Sequence, residues 1–155
     1  MLEDRTCLVT GGSRGIGRAI ATEFGRHGAD VVVNYRSSEA AAEATAEAID
    51  GTDGAAMTAQ ADVSEYGAVE TMRTAVHEEF GGVDVLVNNA GITADRRFEE
   101  MTREDWDRVM DVNLGGTFNC THCFFDDLRA AARENTEQST EAAIAAIDEL
   151  LARVR

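Results

Sequence analysis

Apolar residues along the chain follow two alternating rhythms. Four short runs read as strands. Thr6 to Thr10 stops at Gly11-Gly12, and Asp30-Val31-Val32-Val33-Asn34-Tyr35 is β-branched like a buried parallel strand. Ala55 to Ala61 is a weaker candidate, and Val83 to Val87 halts at Asn88-Asn89. Between them the period lengthens to that of a helix. Ile16, Ala19, Ile20 and Phe24 predict one helix ending near Gly28, and Glu39 to Ile49 predicts a second, with Ser37-Ser38 placed to cap it. Ser64 is placed to cap a third, whose Val69, Met72, Val76 and Phe80 form one stripe ending at Gly81-Gly82.

Thr102 and Asp105 have capping-box spacing. They open a long predicted helix, about 102–133, with Trp106, Met110, Leu114, Thr117, Phe124 and Leu128 on one side. Ile144, Ile147, Leu151 and Val154 then recur at i, i+3, i+7 and i+10, as on one face of an amphipathic helix. Strands alternating with helices predict an α/β fold, a Rossmann-like, doubly wound parallel sheet of about four strands with helices on both faces. The 155 residues suit one domain.

Charge narrows the partners. Lys+Arg is 14 against 29 Asp+Glu, a net charge of −15, and every basic residue is Arg. Such an acidic surface disfavours nucleic acid and anionic membranes as partners. It also fits a protein adapted to concentrated salt, where screening removes self-repulsion. No run approaches the roughly 20 apolar residues of a membrane span. The start, Met1 to Thr10, lacks the basic and apolar regions of a secretory signal, so a cytoplasmic location is expected. Cys7, Cys120 and Cys123 are an odd count, and Cys120-Thr121-His122-Cys123 has no second cluster to complete a zinc site, so the thiols read as packed side chains. His27 and His77 stand alone on helices and read as surface or boundary residues.

The strongest chemical signal is Thr10-Gly11-Gly12-Ser13-Arg14-Gly15-Ile16-Gly17, between a predicted strand and a predicted helix. Gly11 suits the tight turn, Gly15 a close backbone approach to a pyrophosphate, and Gly17 close helix–strand packing. The helix N-terminus then offers amide donors and a partial positive charge to phosphates. At the end of the second strand stands Tyr35, followed by Arg36, where an NAD site carries a carboxylate for the ribose 2′-hydroxyl. Arg36, with Arg14 and the neighbouring Ser37, favours a 2′-phosphate, so the expected cofactor is NADP(H).

The G-x-x-x-G-x-G spacing resembles the short-chain dehydrogenase/reductase family. So do Asp62-Val63 after the third strand, Asn88-Asn89-Ala90-Gly91 after the fourth, and Asp111-Val112-Asn113 in the long helix. Asn34 to Glu39 and Met101 to Trp106 are most similar to 3-oxoacyl-carrier-protein or acetoacetyl-coenzyme A reductases. The resemblance implies strand order 3-2-1-4 and adenine contact at Asp62-Val63. It implies a role beside the dinucleotide for Asn89, Ala90 and Gly91, and a catalytic role for Asn113. It also implies a Ser, a Tyr and a Lys four residues after the Tyr. Here the Tyr residues are Tyr35 and Tyr66, the only Ser after Asn113 is Ser139, and Lys is absent. His122 lies nine positions beyond Asn113, about 13 Å along a helix, too far to protonate the same carbonyl.

Three readings follow: the NADP(H)-binding part of an oxidoreductase for 3-oxoacyl-type substrates, a non-catalytic dinucleotide module, or a self-associating half-fold. The expected organisation is a truncated dinucleotide-binding domain over 1–134 and an amphipathic helix over 135–155 that is atypical of the family. That helix suits either covering the sheet face beside the fourth strand or joining copies of the chain, and the long helix before it is a second candidate interface for a homo-oligomer. Burying the four apolar tail residues contributes roughly 6–12 kcal/mol gross, much of it offset by ordering entropy. Raising potassium chloride from dilute buffer to molar concentration should raise the melting temperature; a melting temperature indifferent to salt would contradict the salt-adapted reading.

Overall fold

A computed structural model describes residues 2–136. The chain runs β1 (Thr6–Val9), α1 (Gly15–Arg26), β2 (Asp30–Tyr35), α2 (Glu39–Asp50), β3 (Ala56–Gln60), α3 (Tyr66–Phe80) and β4 (Val85–Val87). A short 3₁₀ turn at Phe98–Glu100 precedes α4 (Arg103–Met110), a π-helical turn (Asp111–Gly115), α5 (Gly116–Cys123) and a last helix α6 (125–136). The four strands are parallel in the order β3-β2-β1-β4, as expected, with Cys7 opposite Val31 on one side and Val85 on the other. The helix expected over 135–155 lies, from residue 137 on, outside the described residues.

Two apolar layers cover the sheet, and side-chain alternation along β1 decides which residue enters which. Cys7 and Val9 join Val31, Val33, Ala21 and Ile49 beneath α1 and α2. Leu8 points the other way, to Val32, Val69, Met72, Val76, Cys120 and Phe124 beneath α3 and α5. All of these are buried, which matches strands written almost wholly in β-branched residues. Burial pushes the Cys7 and Cys120 thiols up to about 12, so both are inert packing groups.

Two helices depart from the sequence expectation. The inward face of α1 is Gly17, Ala21 and Gly25, whereas Ile16 is 75% exposed and Ile20 and Phe24 lie on the flank. Small residues win that face because the helix sits too close for larger ones: a Cβ on Gly25 would stand 2.5 Å from Ile49 Cγ2. The long helix is also interrupted. The π-helical turn between α4 and α5 rotates the apolar face, so Val112, Gly116, Cys120 and Phe124 are buried while Leu114 and Thr117 are exposed. Trp106, on α4 before that turn, is exposed as well. Met110 and Leu128 remain half-buried.

The capping expectations divide. Thr102 and Asp105 form the reciprocal box, with Asp105 N donating to Thr102 Oγ1 at 3.1 Å. Ser38 occupies the cap position of α2 without a side-chain bond. Ser64 does not cap α3; Glu65 holds that position, and the Ser64 hydroxyl donates to Asp62 Oδ1 at 2.6 Å. His77 is not isolated, because its Nε2 lies 2.8 Å from Asp127 Oδ2 and ties α3 to α6. Gly25→Val should destabilise the fold by ~1–3 kcal/mol through overpacking against Ile49, with partial recovery in Gly25→Val/Ile49→Ala. Urea titration checks this; an unchanged midpoint in the single variant would mean that α1 and α2 spread at no cost.

Candidate functional site

Where the parallel strands end, their last backbone groups need partners, and three side chains supply them. The Thr10 hydroxyl donates to Val87 O at 3.2 Å and accepts from Asn89 N and Ala90 N, each at 2.9 Å. The Asn89 amide donates to Thr10 O at 2.8 Å and Gly11 O at 3.2 Å. On the other side, buried Asn34 accepts from Gly11 N at 3.2 Å and donates to Ala59 O and Ala61 O at 3.1 and 3.2 Å. These bonds tie the ends of β1, β2, β3 and β4 to one glycine bend.

That bend aims α1. Gly11 has φ +63°, a conformation that favours glycine. Gly17 sits on it so closely that any Cβ would overlap Gly11 O and come within 2.5 Å of Asn89 Nδ2. No side chain caps α1, and its first turn carries no acidic residue. The amide end of the helix therefore faces a cleft of ≈ 350 Å³ with its donors uncompensated by protein side chains.

Every cofactor-contacting residue nominated from the sequence lines this cleft. Gly11, Ser13, Arg14, Gly15, Ile16 and Gly17 form its floor, and Tyr35, Arg36 and Ser37 one wall. Asp62 and Val63 lie beyond them, with Asn89, Ala90 and Gly91 on the far side. The lining also includes Asn34, Ala61, Ile92 and Val112, which the sequence reading had not singled out. Asn34 did leave a signal: a lone amide in a strand of valines must find bonds when buried. Asn113 does not line the cleft. Its Oδ1 accepts from Ile92 N at 2.8 Å and its Nδ2 donates to Ile92 O at 3.0 Å, so it fixes the loop that does.

Electrostatics along the cleft are mixed. Arg36 Nη1 lies 3.9 Å from Asp62 Oδ2, and the Arg36 side chain remains 58% exposed. Asp62 is held by Ser64, whose backbone N donates to Oδ1 at 3.0 Å. Burial, and then Glu39, pushes the Tyr35 phenol above its ordinary value. The Tyr66 phenol is raised as well, first by its hydrogen bond with Cys123, and its hydroxyl lies 2.9 Å from His122 Nδ1 on α5. Neither tyrosine moves toward the neutral range that suits a proton donor.

The model of the short chain dehydrogenase family matches residues 5–147. The chain belongs to that family. It is 47% identical over 117 residues to 3beta-hydroxysteroid dehydrogenase 1 of Eggerthella lenta, covering 76% of this chain and 45% of that one. It is 46% identical over 117 residues to a 3-oxoacyl-[acyl-carrier-protein] reductase of Staphylococcus epidermidis, covering 76% and 48%. The structure of a short chain dehydrogenase from Burkholderia cenocepacia in complex with NADP superposes with a TM-score of 0.76 at 38% identity, over 85% of this chain and 51% of the other. The chain thus spans about half the length of the relatives it matches. No helix among the described residues is long and apolar enough to cross a membrane.

Thr10→Val keeps the shape of the side chain but leaves two amides without an acceptor. It should cost ~1–3 kcal/mol in chemical denaturation, while Thr10→Ser stays near wild type. A Thr10→Val protein as stable as wild type would show that this junction does not hold the bend.

Proposed function

We propose that this chain is the NADP(H)-binding half of a short-chain oxidoreductase acting on 3-oxoacyl-type substrates. The observation that carries the proposal is the uncapped first turn of α1, held above the bend by Thr10, Asn89 and Asn34. The residues present fit a dinucleotide. Amides at Gly15 to Gly17 take the pyrophosphate, and a Cβ added at Gly15 would meet nothing within 4 Å, which leaves the space above the bend open. Arg36, reinforced by Arg14, takes the 2′-phosphate in preference to its long contact with Asp62. Asp62 and Val63 border the adenine, and Asn89 to Gly91 border the nicotinamide side. The bound dinucleotide supplies hydride for ketone reduction.

Asn113 acts as a positioning residue in this reading, because both polar atoms of its amide already serve Ile92. The Ser, Tyr and Lys that the reaction calls for come from polypeptide outside these 155 residues. Lacking a proton donor costs about 10²–10⁴ in rate on its own. The oxidoreductase and dinucleotide-module readings therefore share one prediction for this chain alone: it binds and does not turn over. The exposed Leu114 of the π-helical turn, Phe118 of α5 and Phe125 of α6 favour self-association through this face. The acidic surface supports the salt-adapted reading.

Fluorescence titration should give saturable NADPH binding, roughly tenfold to a hundredfold tighter than NADH, since bonds to a charged group contribute about 1.5–3 kcal/mol. Arg36→Asp should reverse that preference. An unchanged NADPH-to-NADH ratio in this variant would contradict the role of Arg36, and NADPH-dependent reduction of acetoacetyl-coenzyme A by the chain alone would contradict the division of labour.

A further inference from the structure

Backbone carbonyls at the end of β2 take turns between its two neighbours. Asn34 O accepts from Gly12 N, just past β1, and Tyr35 O accepts from Ala61 N, just past β3, each at 2.9 Å. A strand that ran on would turn Arg36 O back toward β1. Instead that carbonyl accepts from the Gln60 side chain, whose Nε2 donates at 3.1 Å. The chain therefore leaves the strand at Arg36. Gln60 is the last residue of β3 and the register partner of Tyr35, so its side-chain amide adds one bond beyond the end of the ladder. Gln60 is exposed and does not line the cleft.

The end of β3 thus holds Arg36 at both ends. Asp62, two residues after Gln60, places Oδ2 3.9 Å from the guanidinium. Ser64 holds Asp62 in turn, its hydroxyl donating to Oδ1 at 2.6 Å. The start of α2 adds no comparable anchor, because Ser38 stands at the cap position without a side-chain bond. Among the described residues, the Gln60 amide and the Asp62 carboxylate are what tether residue 36 to β3.

A ligand treats the two tethers differently. A phosphate in direct contact outcompetes a carboxylate 3.9 Å away, so a 2′-phosphate draws the guanidinium off Asp62. The bond on the carbonyl is untouched by that swing. It keeps the Arg36 backbone, and the direction in which the side chain leaves it, fixed while the far end moves. Bidentate pairing of guanidinium with phosphate depends on orientation as well as charge. A fixed root leaves fewer conformations to be given up on binding.

We propose that Gln60 is a positioning residue for cofactor preference, acting through the Arg36 backbone to favour NADP(H) over NAD(H) without touching either. The proposal rests on the reading that Arg36 takes the 2′-phosphate. NAD(H) has a hydroxyl there and makes no use of the guanidinium, so loss of Gln60 is felt by one cofactor alone.

Gln60→Met removes the donor, keeps the length of the side chain and adds no charge. Fluorescence titration of the full chain should show NADPH binding weakened roughly threefold to tenfold, the range of one hydrogen bond, and NADH binding within about twofold of the unsubstituted chain. The NADH affinity also reports that the variant is folded. In an Arg36→Ala background, Gln60→Met should change neither affinity. Equal weakening of both cofactors would make Gln60 a structural contact only, and a loss of NADPH affinity that persists in Arg36→Ala would mean that it does not act through Arg36; either result overturns the proposal. So does an unchanged NADPH-to-NADH ratio in Gln60→Met when the unsubstituted chain prefers NADPH and Arg36→Ala does not. An unsubstituted chain that binds both cofactors alike fails one step earlier, at the role of Arg36, and overturns this proposal with it.

Discussion

The structure depends on how two neighbouring parallel strands end. β1 and β4 both stop with backbone groups that no further strand residue satisfies, and Thr10 and Asn89 close them against each other. Both residues are polar groups placed where apolar layers meet, so each missing bond would leave a donor or acceptor stranded. Once these bonds are made, the chain after β1 has one path, a tight bend at Gly11 that presses Gly17 against it. The direction of α1 follows from that contact. A helix held this close has its first amides pointing over the strand ends, which is the standard location for phosphates in open α/β sheets.

The same economy shapes the rest of the cleft. Asn34 spends both ends of its amide on the bend and on the end of β3, so the wall bearing Tyr35 and Arg36 is registered to the floor. Asn113 does the equivalent for the loop after β4 by binding both backbone groups of Ile92. The π-helical turn that carries Asn113 breaks the regular helix there, and Gly116 just after it lets α5 lie so close that a Cβ on it would stand 2.5 Å from Val63 Cγ2. Three amides and one hydroxyl thus fix the cleft from four strands and one helix, with little dependence on charge.

The sheet and the cleft were legible in the sequence because their signals are local. Valine-rich runs, glycines at set spacings and asparagines after strand four are each readable without knowing what lies across the fold. The helices were less legible because their inward faces are decided by distance. Ile16, Ile20 and Phe24 outscore Gly17, Ala21 and Gly25 on hydrophobicity, yet α1 lies so close to the sheet that the small residues take the inner face. Leu114 and Thr117 failed for a related reason: one π-helical turn, invisible to a 3.6-residue period, shifts the face across it, while Trp106 lies exposed on α4 ahead of that turn. Asn34 was overlooked because it interrupts a strand without breaking it, although a buried amide among valines is itself a mark of structural bonding.

The central claim is that the bend and the α1 amides are already arranged for a diphosphate before any ligand arrives. Backbone ¹⁵N spectra recorded during an NADPH titration test it most directly. The account predicts large shifts at Gly15, Ile16 and Gly17 and small ones at Thr10 and Asn89, whose bonds are already made. Shifts confined to Arg36 and its neighbours with none in the first turn of α1, or a spectrum indifferent to NADPH, would contradict it.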